Sequence, residues 1–169
     1  AAGAVALAAG MMHAISHATA KAAMFMSAGL VYAALGHDRV SGLAGTARAI
    51  PMTVFAFALG GISLLGLPPS GGFLAKWLLL RGAVESGQWW YAVVVLVGGL
   101  LTGGYVVLVL VRAMGATAEP IALQAPVARH REAAALALAV CSALLGLAAF
   151  GAIDVLQIGR ADAGGAIAR

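Results

Sequence analysis

Leu64 to Arg81 reads LLGLPPSGGFLAKWLLLR, and this stretch decides the fold. It is strongly apolar, yet Gly66, Pro68, Pro69, Gly71, Gly72 and Lys76 all lie inside it. Proline removes a backbone donor and clashes with the preceding turn of a helix. Two prolines followed by Ser70, Gly71 and Gly72 therefore predict a full break rather than a gentle bend. Lys76 comes four residues after Gly72, inside a second apolar run. Backbone groups freed by a break persist at membrane depth only where protein or a wet cavity satisfies them. A broken membrane helix beside an ionisable residue is a known arrangement for ion sites.

Composition places that stretch in a bilayer. Of 169 residues, 63% are hydrophobic and only 9% are charged, with a mean hydropathy of +1.01. A soluble domain carries about 25% charged residues, so this chain lacks the polar groups to cover a globular surface. The net charge of +4 is spread thinly and gives no footprint for nucleic acid. Cys141 is the single cysteine, which excludes an internal disulfide and a cysteine-based metal cluster. The chain opens AAGAV, without a Met or a basic leader, and so reads as beginning inside a longer protein.

Four spans are expected, all helical. Residues 4–35 form the first apolar run, interrupted by His13, Ser16, His17, Thr19, Lys21 and Ser27. Residues 40–51 read as a loop or a short interfacial helix. Residues 52–81 form the second span, broken at Pro68-Pro69. After a turn at 82–88, Trp89, Trp90 and Tyr91 mark a headgroup boundary. Spans at about 89–112 and 133–154 follow, separated by a polar connection over 112–132, and 157–169 reads as a flexible tail. The 36–52 and 112–132 connections share one side and carry Arg39, Arg48, Arg112, Arg129 and Arg131. The other side carries Arg81, Arg160 and Arg169. The excess of basic residues puts the C-terminal end of the first span in the cytoplasm.

His13, His17 and Lys21 are four residues apart, so they drift only about 80° around a helix and climb it in ~6 Å steps. A lysine near mid-membrane costs ~3 kcal/mol or more, and such a residue faces the bundle interior and pairs there. Imidazoles titrate near neutral pH, so the three together suit a proton wire. Taken singly, each histidine reads as a hydrogen-bonding link between helices; the trio with Lys21 reads as functional. Lys76 has a competing reading, in which its stem snorkels toward the boundary marked by Arg81; the adjacent break favours function. Gly99 and Gly103 read as small-residue helix packing, and Thr102 and Tyr105 as residues able to line a wet path. The sequence shows no nucleophile with a base, no phosphate loop and no haem or iron–sulfur ligand set.

The segments HAISHATAKAAMFMSAG and GLAGTARAIPMTVFAFALGGISLLGLPPSGGFLAKWLLL carry a resemblance. The joint pattern is H-x3-H-x3-K, then Arg48 and Pro51, then LPP-x-x-GF-x-x-K. It resembles the C-terminal half of antiporter-like membrane subunits: those of respiratory complex I, of Mrp-type sodium/proton antiporters and of membrane-bound hydrogenases. The resemblance is clear from about His13 to Trp77 and fades beyond. It implies a fragment, residues 1–156, of a fourteen-helix fold built from two inverted repeats. It implies that Lys76 is the lysine of the second broken helix, where the proton exchanges with the outer side. Pro68, Pro69, Gly71 and Gly72 would form the break. Lys21 would belong to the central hydrophilic axis, with His17 and His13 as relay groups. Lysine at position 76 argues against the complex I subunit type that uses glutamate there, and the short tail argues against the type with a long lateral helix.

The resemblance implies a non-catalytic subunit that translocates protons within a larger redox-driven complex of the NADH:quinone oxidoreductase or hydrogenase kind. It implies no bound cofactor and no metal, other membrane subunits as partners, and a multi-pass place in the inner or plasma membrane of the cell. One alternative is a Mrp-type antiporter subunit coupled to sodium. Another is a structural membrane subunit without its own ion path, in which Lys21 and Lys76 would tolerate neutral replacement.

Overall fold

A computed structural model describes the backbone of residues 2–117 and 121–158 and the side chains of residues 9–117 and 121–147. Among the described residues all regular structure is helical. The long helices are α1 (Ala2–Leu35), α5 (Trp89–Met114) and α6 (Arg129–Ile158). Among the described residues three segments are long and apolar enough to cross a membrane: Ala9–Leu35, Trp89–Met114 and Arg129–Leu147. A 3-10 turn at Val40–Gly42 and the one-turn helix α2 (Thr46–Ala49) occupy the first connection. The predicted broken span is two helices, α3 (Pro51–Leu65) and α4 (Gly71–Glu85), each of 15 residues. Each is therefore ~22 Å long, shorter than a ~30 Å hydrocarbon core.

The boundaries move at several places for local reasons. α4 runs to Glu85 because a single glycine, Gly82, does not stop a helix, so the turn is confined to 86–88. α6 begins at Arg129 rather than 133, which takes the run Arg129–Glu132 out of the connection and makes it the first turn of a helix. α6 also continues to Ile158, through the first two positions of the expected tail; the tail from 159 onward lies outside the described residues.

The helices meet through small residues. Ala23, Ala56, Ala135 and Ala139 are fully buried at the junction of α1, α3 and α6, and Ala20 is fully buried where α1 and α3 meet α5. Small side chains let backbones approach, and close packing is the main driving force where the solvent is lipid. Large apolar side chains point outward instead, among them Phe25, Phe55, Leu96, Leu100, Leu101 and Val111. This inside-out distribution fits hydrocarbon surroundings. Trp89, Trp90 and Tyr91 are exposed at the start of α5, where a headgroup boundary was predicted.

Candidate functional site

The break is built by hydrogen bonds whose accounting closes. A helix ends with four carbonyls that lack intrahelical partners; in α3 these belong to Ile62, Ser63, Leu64 and Leu65. Gly66 adopts a left-handed conformation, φ 80°, ψ 45°, open to glycine at little cost. Its N–H donates to Ile62 and Ser63, and the Leu67 N–H donates to Ile62, a Schellman ending. Pro68 and Pro69, joined by a cis peptide bond, offer no N–H. The last two carbonyls are taken by Lys76. Its Nζ donates to Leu64 O and Leu65 O, both at 2.9 Å. The lysine therefore turns back toward the break, with its charge at the negative end of the α3 dipole.

Ser70 restarts the chain. Its Oγ accepts from the Phe73 N–H at 3.2 Å, capping α4, and donates to Leu67 O at 2.7 Å. Two glycines permit the close contacts here. A side chain at Gly72 would fall on the Ser63 carbonyl, and one at Gly146 of α6 would fall on the Pro69 carbonyl. Gly99 admits Lys76: a Cβ there would lie 3.3 Å from Nζ, and one at Gly103 would press on Leu65. The Gly99/Gly103 pair thus seats α5 against the break.

Behind the break three buried serines join α1, α3 and α6. Ser142 Oγ donates to Ser16 O at 3.2 Å, Ser63 Oγ lies 2.6 Å from Ser142 Oγ, and Ser16 Oγ lies 3.4 Å from Ser63 Oγ. Each hydroxyl has one proton. Since Ser142 spends its proton on a carbonyl, Ser63 must donate to Ser142 and Ser16 to Ser63. The chain closes on the backbone and leads nowhere, so it clamps the helices rather than carrying protons.

In front of the break lies a cleft of ≈ 330 Å³ whose lining includes His13, His17, Lys21, Lys76, Thr102 and Tyr105. All four relay candidates therefore share one space, together with the two polar residues of α5. The His13 and His17 rings are 5.6 Å apart, and the buried Nδ1 of His13 has no hydrogen-bond partner among the described residues. Lys21 differs from expectation. It is exposed rather than enclosed, and its ammonium lies 5.6 Å from the Phe25 ring centroid. Its helix face opens onto the cleft mouth, where no described element covers it. No carboxylate lines the cleft among the described residues. One residue that sequence reasoning passed over is Glu132. It is buried at 8% exposure and accepts hydrogen bonds from Thr53 at the far end of α3. Its only signal was an acidic residue at the edge of an apolar run.

Comparison with known proteins bears on this arrangement. Residues 1–102 match the family described as NADH:quinone oxidoreductase/Mrp antiporter, TM. NADH-quinone oxidoreductase subunit N of Desulforudis audaxviator is 41% identical over 95 residues, covering 56% of this chain and 19% of that protein. In the structure of the Mrp complex from Dietzia sp. DQ12-45-1b, one chain superposes with a TM-score of 0.74 at 25% identity, covering 83% of this chain and 34% of that one. A chain of respiratory complex I from Thermus thermophilus superposes with a TM-score of 0.54 at 28% identity, covering 80% of this chain and 34% of that one. The chain thus spans about a fifth of the length of the first of these relatives.

Proposed function

The chain belongs to the NADH:quinone oxidoreductase/Mrp antiporter transmembrane family, and from that premise we propose that it forms part of a proton path in a multi-subunit complex of the cell membrane. In this reading Lys76 is the carrier, and His13, His17 and Lys21 relay protons along the cleft. The observation that carries the reading is the pairing of Lys76 Nζ with Leu64 O and Leu65 O. An ammonium has three N–H donors. Two hold the carbonyls, and the third is left for the cleft. After that proton departs, the amine keeps two N–H groups, so the break stays capped in both protonation states. A carrier at this place can cycle without dismantling the helix ends around it.

Expulsion needs a push. Two like charges ~7 Å apart at an effective dielectric near 20 repel by ~2.4 kcal/mol, so a second positive charge arriving in the cleft would work against the ammonium. The relay provides groups able to carry that charge. The lining carries two lysines and two histidines beside the hydroxyls of Thr102 and Tyr105, so either ion can be asked of it by experiment. The energy source in this reading is a redox complex, as the likeness to NADH-quinone oxidoreductase subunit N supports. The TM-score of 0.74 favours a second reading, a Mrp-type antiporter subunit. Dye-reported proton uptake by inverted vesicles carrying the full-length subunit in its complex separates the two. Uptake driven by an electron donor and indifferent to a sodium gradient supports the first; uptake that follows the sodium gradient supports the second.

A further inference from the structure

α3 meets an opposite charge at each end, and both charges come from other helices. Lys76 of α4 holds its C-terminal carbonyls. At its N-terminus, Glu132 Oε2 accepts from the Thr53 backbone N–H at 3.1 Å and from Thr53 Oγ1 at 2.8 Å. The local sequence creates the need for this partner. Ile50 at the N-cap provides no side-chain cap, and Pro51 has no N–H to offer. Val54 is already bonded to Ile50 O. The Thr53 N–H is thus an orphan donor, and a carboxylate at the positive end of a helix dipole is favourable. Among the described residues no basic side chain pairs with Glu132, the one ion pair being Arg81–Glu85. A buried carboxylate without a cation depends on its hydrogen-bond donors, so the Thr53 contact fixes both partners.

α6 therefore grips α3 at two levels: Glu132 on Thr53 and Ser142 on Ser63. Gly146 of α6 then receives the Pro69 carbonyl just beyond the end of α3. We propose that Glu132 is a positioning residue for Lys76. By pinning the start of α3 it sets the helix's axial position and rotation, and so places the Leu64 and Leu65 carbonyls at Nζ about 17 Å away. Glu132 lies outside the cleft lining and acts only through α3. The inference rests on the reading of Lys76 as the proton carrier.

The test uses the full-length subunit in its native complex, with Glu132→Ala, Glu132→Gln, Thr53→Val and, as control, Lys76→Ala. Two quantities are read: proton uptake per assembled complex, and the rate at which a membrane-permeant amine-reactive reagent acylates Lys76, followed by mass spectrometry. Glu132→Ala is expected to lower uptake about tenfold and to raise Lys76 acylation about threefold, as the carbonyls leave Nζ. Glu132→Gln keeps an acceptor oxygen for both Thr53 donors and should restore both readouts to within about twofold of wild type. Where Glu132→Ala fails to assemble, Thr53→Val decides, with the same directions and about threefold lower uptake. Unchanged uptake, or lowered uptake with unchanged Lys76 acylation, overturns the assignment. Normal uptake in Lys76→Ala overturns the transport reading and this inference with it. Loss there beside normal uptake in Glu132→Ala overturns this inference alone.

Discussion

Replacing Lys76 with alanine removes, among the described residues, the donors on Leu64 O and Leu65 O. A buried carbonyl left without a partner costs ~1–3 kcal/mol. The cleft admits water to part of this site, which favours the lower end, ~1 kcal/mol for each carbonyl or ~2 kcal/mol for both. Local opening of the α3 terminus should then become about thirtyfold more frequent, since 1.4 kcal/mol is a factor of ten. Hydrogen–deuterium exchange reads this directly, because opening exposes amides in proportion to its free energy. The informative amides are those of Gly66 and Leu67, which close the Schellman ending. Their protection should fall about thirtyfold in Lys76→Ala. Lys76→Gln, with one amide group to offer, should recover part of that loss without restoring transport. Unchanged protection in Lys76→Ala would refute the claim that the lysine caps the break.

Gly72→Ala should lower the yield of assembled complex on a native gel, because its Cβ would strike the Ser63 carbonyl, at a cost of ~1–3 kcal/mol or more. Gly82→Ala, with open space around its Cβ, should be neutral or slightly stabilising on the same gel. Ser63→Ala breaks the closed serine ring and should cost ~1–2 kcal/mol in thermal stability, while proton uptake per assembled complex stays above about half of wild type, since a closed ring is no wire. Lys21→Ala should impair proton uptake and leave Gly66 and Leu67 protection unchanged, whereas His13→Ala should reduce uptake least of the relay positions.

Much of the break was legible in the sequence, because proline and glycine act on their own backbone. Pro68, Pro69 and Gly66 mark the interruption wherever the chain then goes. Lys76 was legible as a charge beside it. Its partners were not, since they depend on the direction in which α4 leaves Ser70. Snorkelling toward Arg81 and capping of Leu64 and Leu65 require the same lysine at the same position. The His13, His17 and Lys21 face followed from helical spacing, and the cleft does contain all three. The exposure of Lys21 did not follow, because spacing fixes a face and not what covers it. Glu132 was hidden by its neighbours. The run Arg129-His130-Arg131-Glu132 resembles a solvated connection, and only a helix beginning at Arg129 turns its fourth residue onto α3. Gly146 was equally silent, because its use is a close approach to a chain segment far away in sequence.

The measurement that bears most directly on the account is proton uptake in inverted vesicles, comparing wild type with Lys76→Ala in the full-length subunit and its native complex, with assembly checked on a native gel. The account predicts assembled complex and lost uptake, with or without a sodium gradient. Wild-type uptake in the variant would contradict it, leaving Lys76 as a helix cap and the chain as a structural part of its complex.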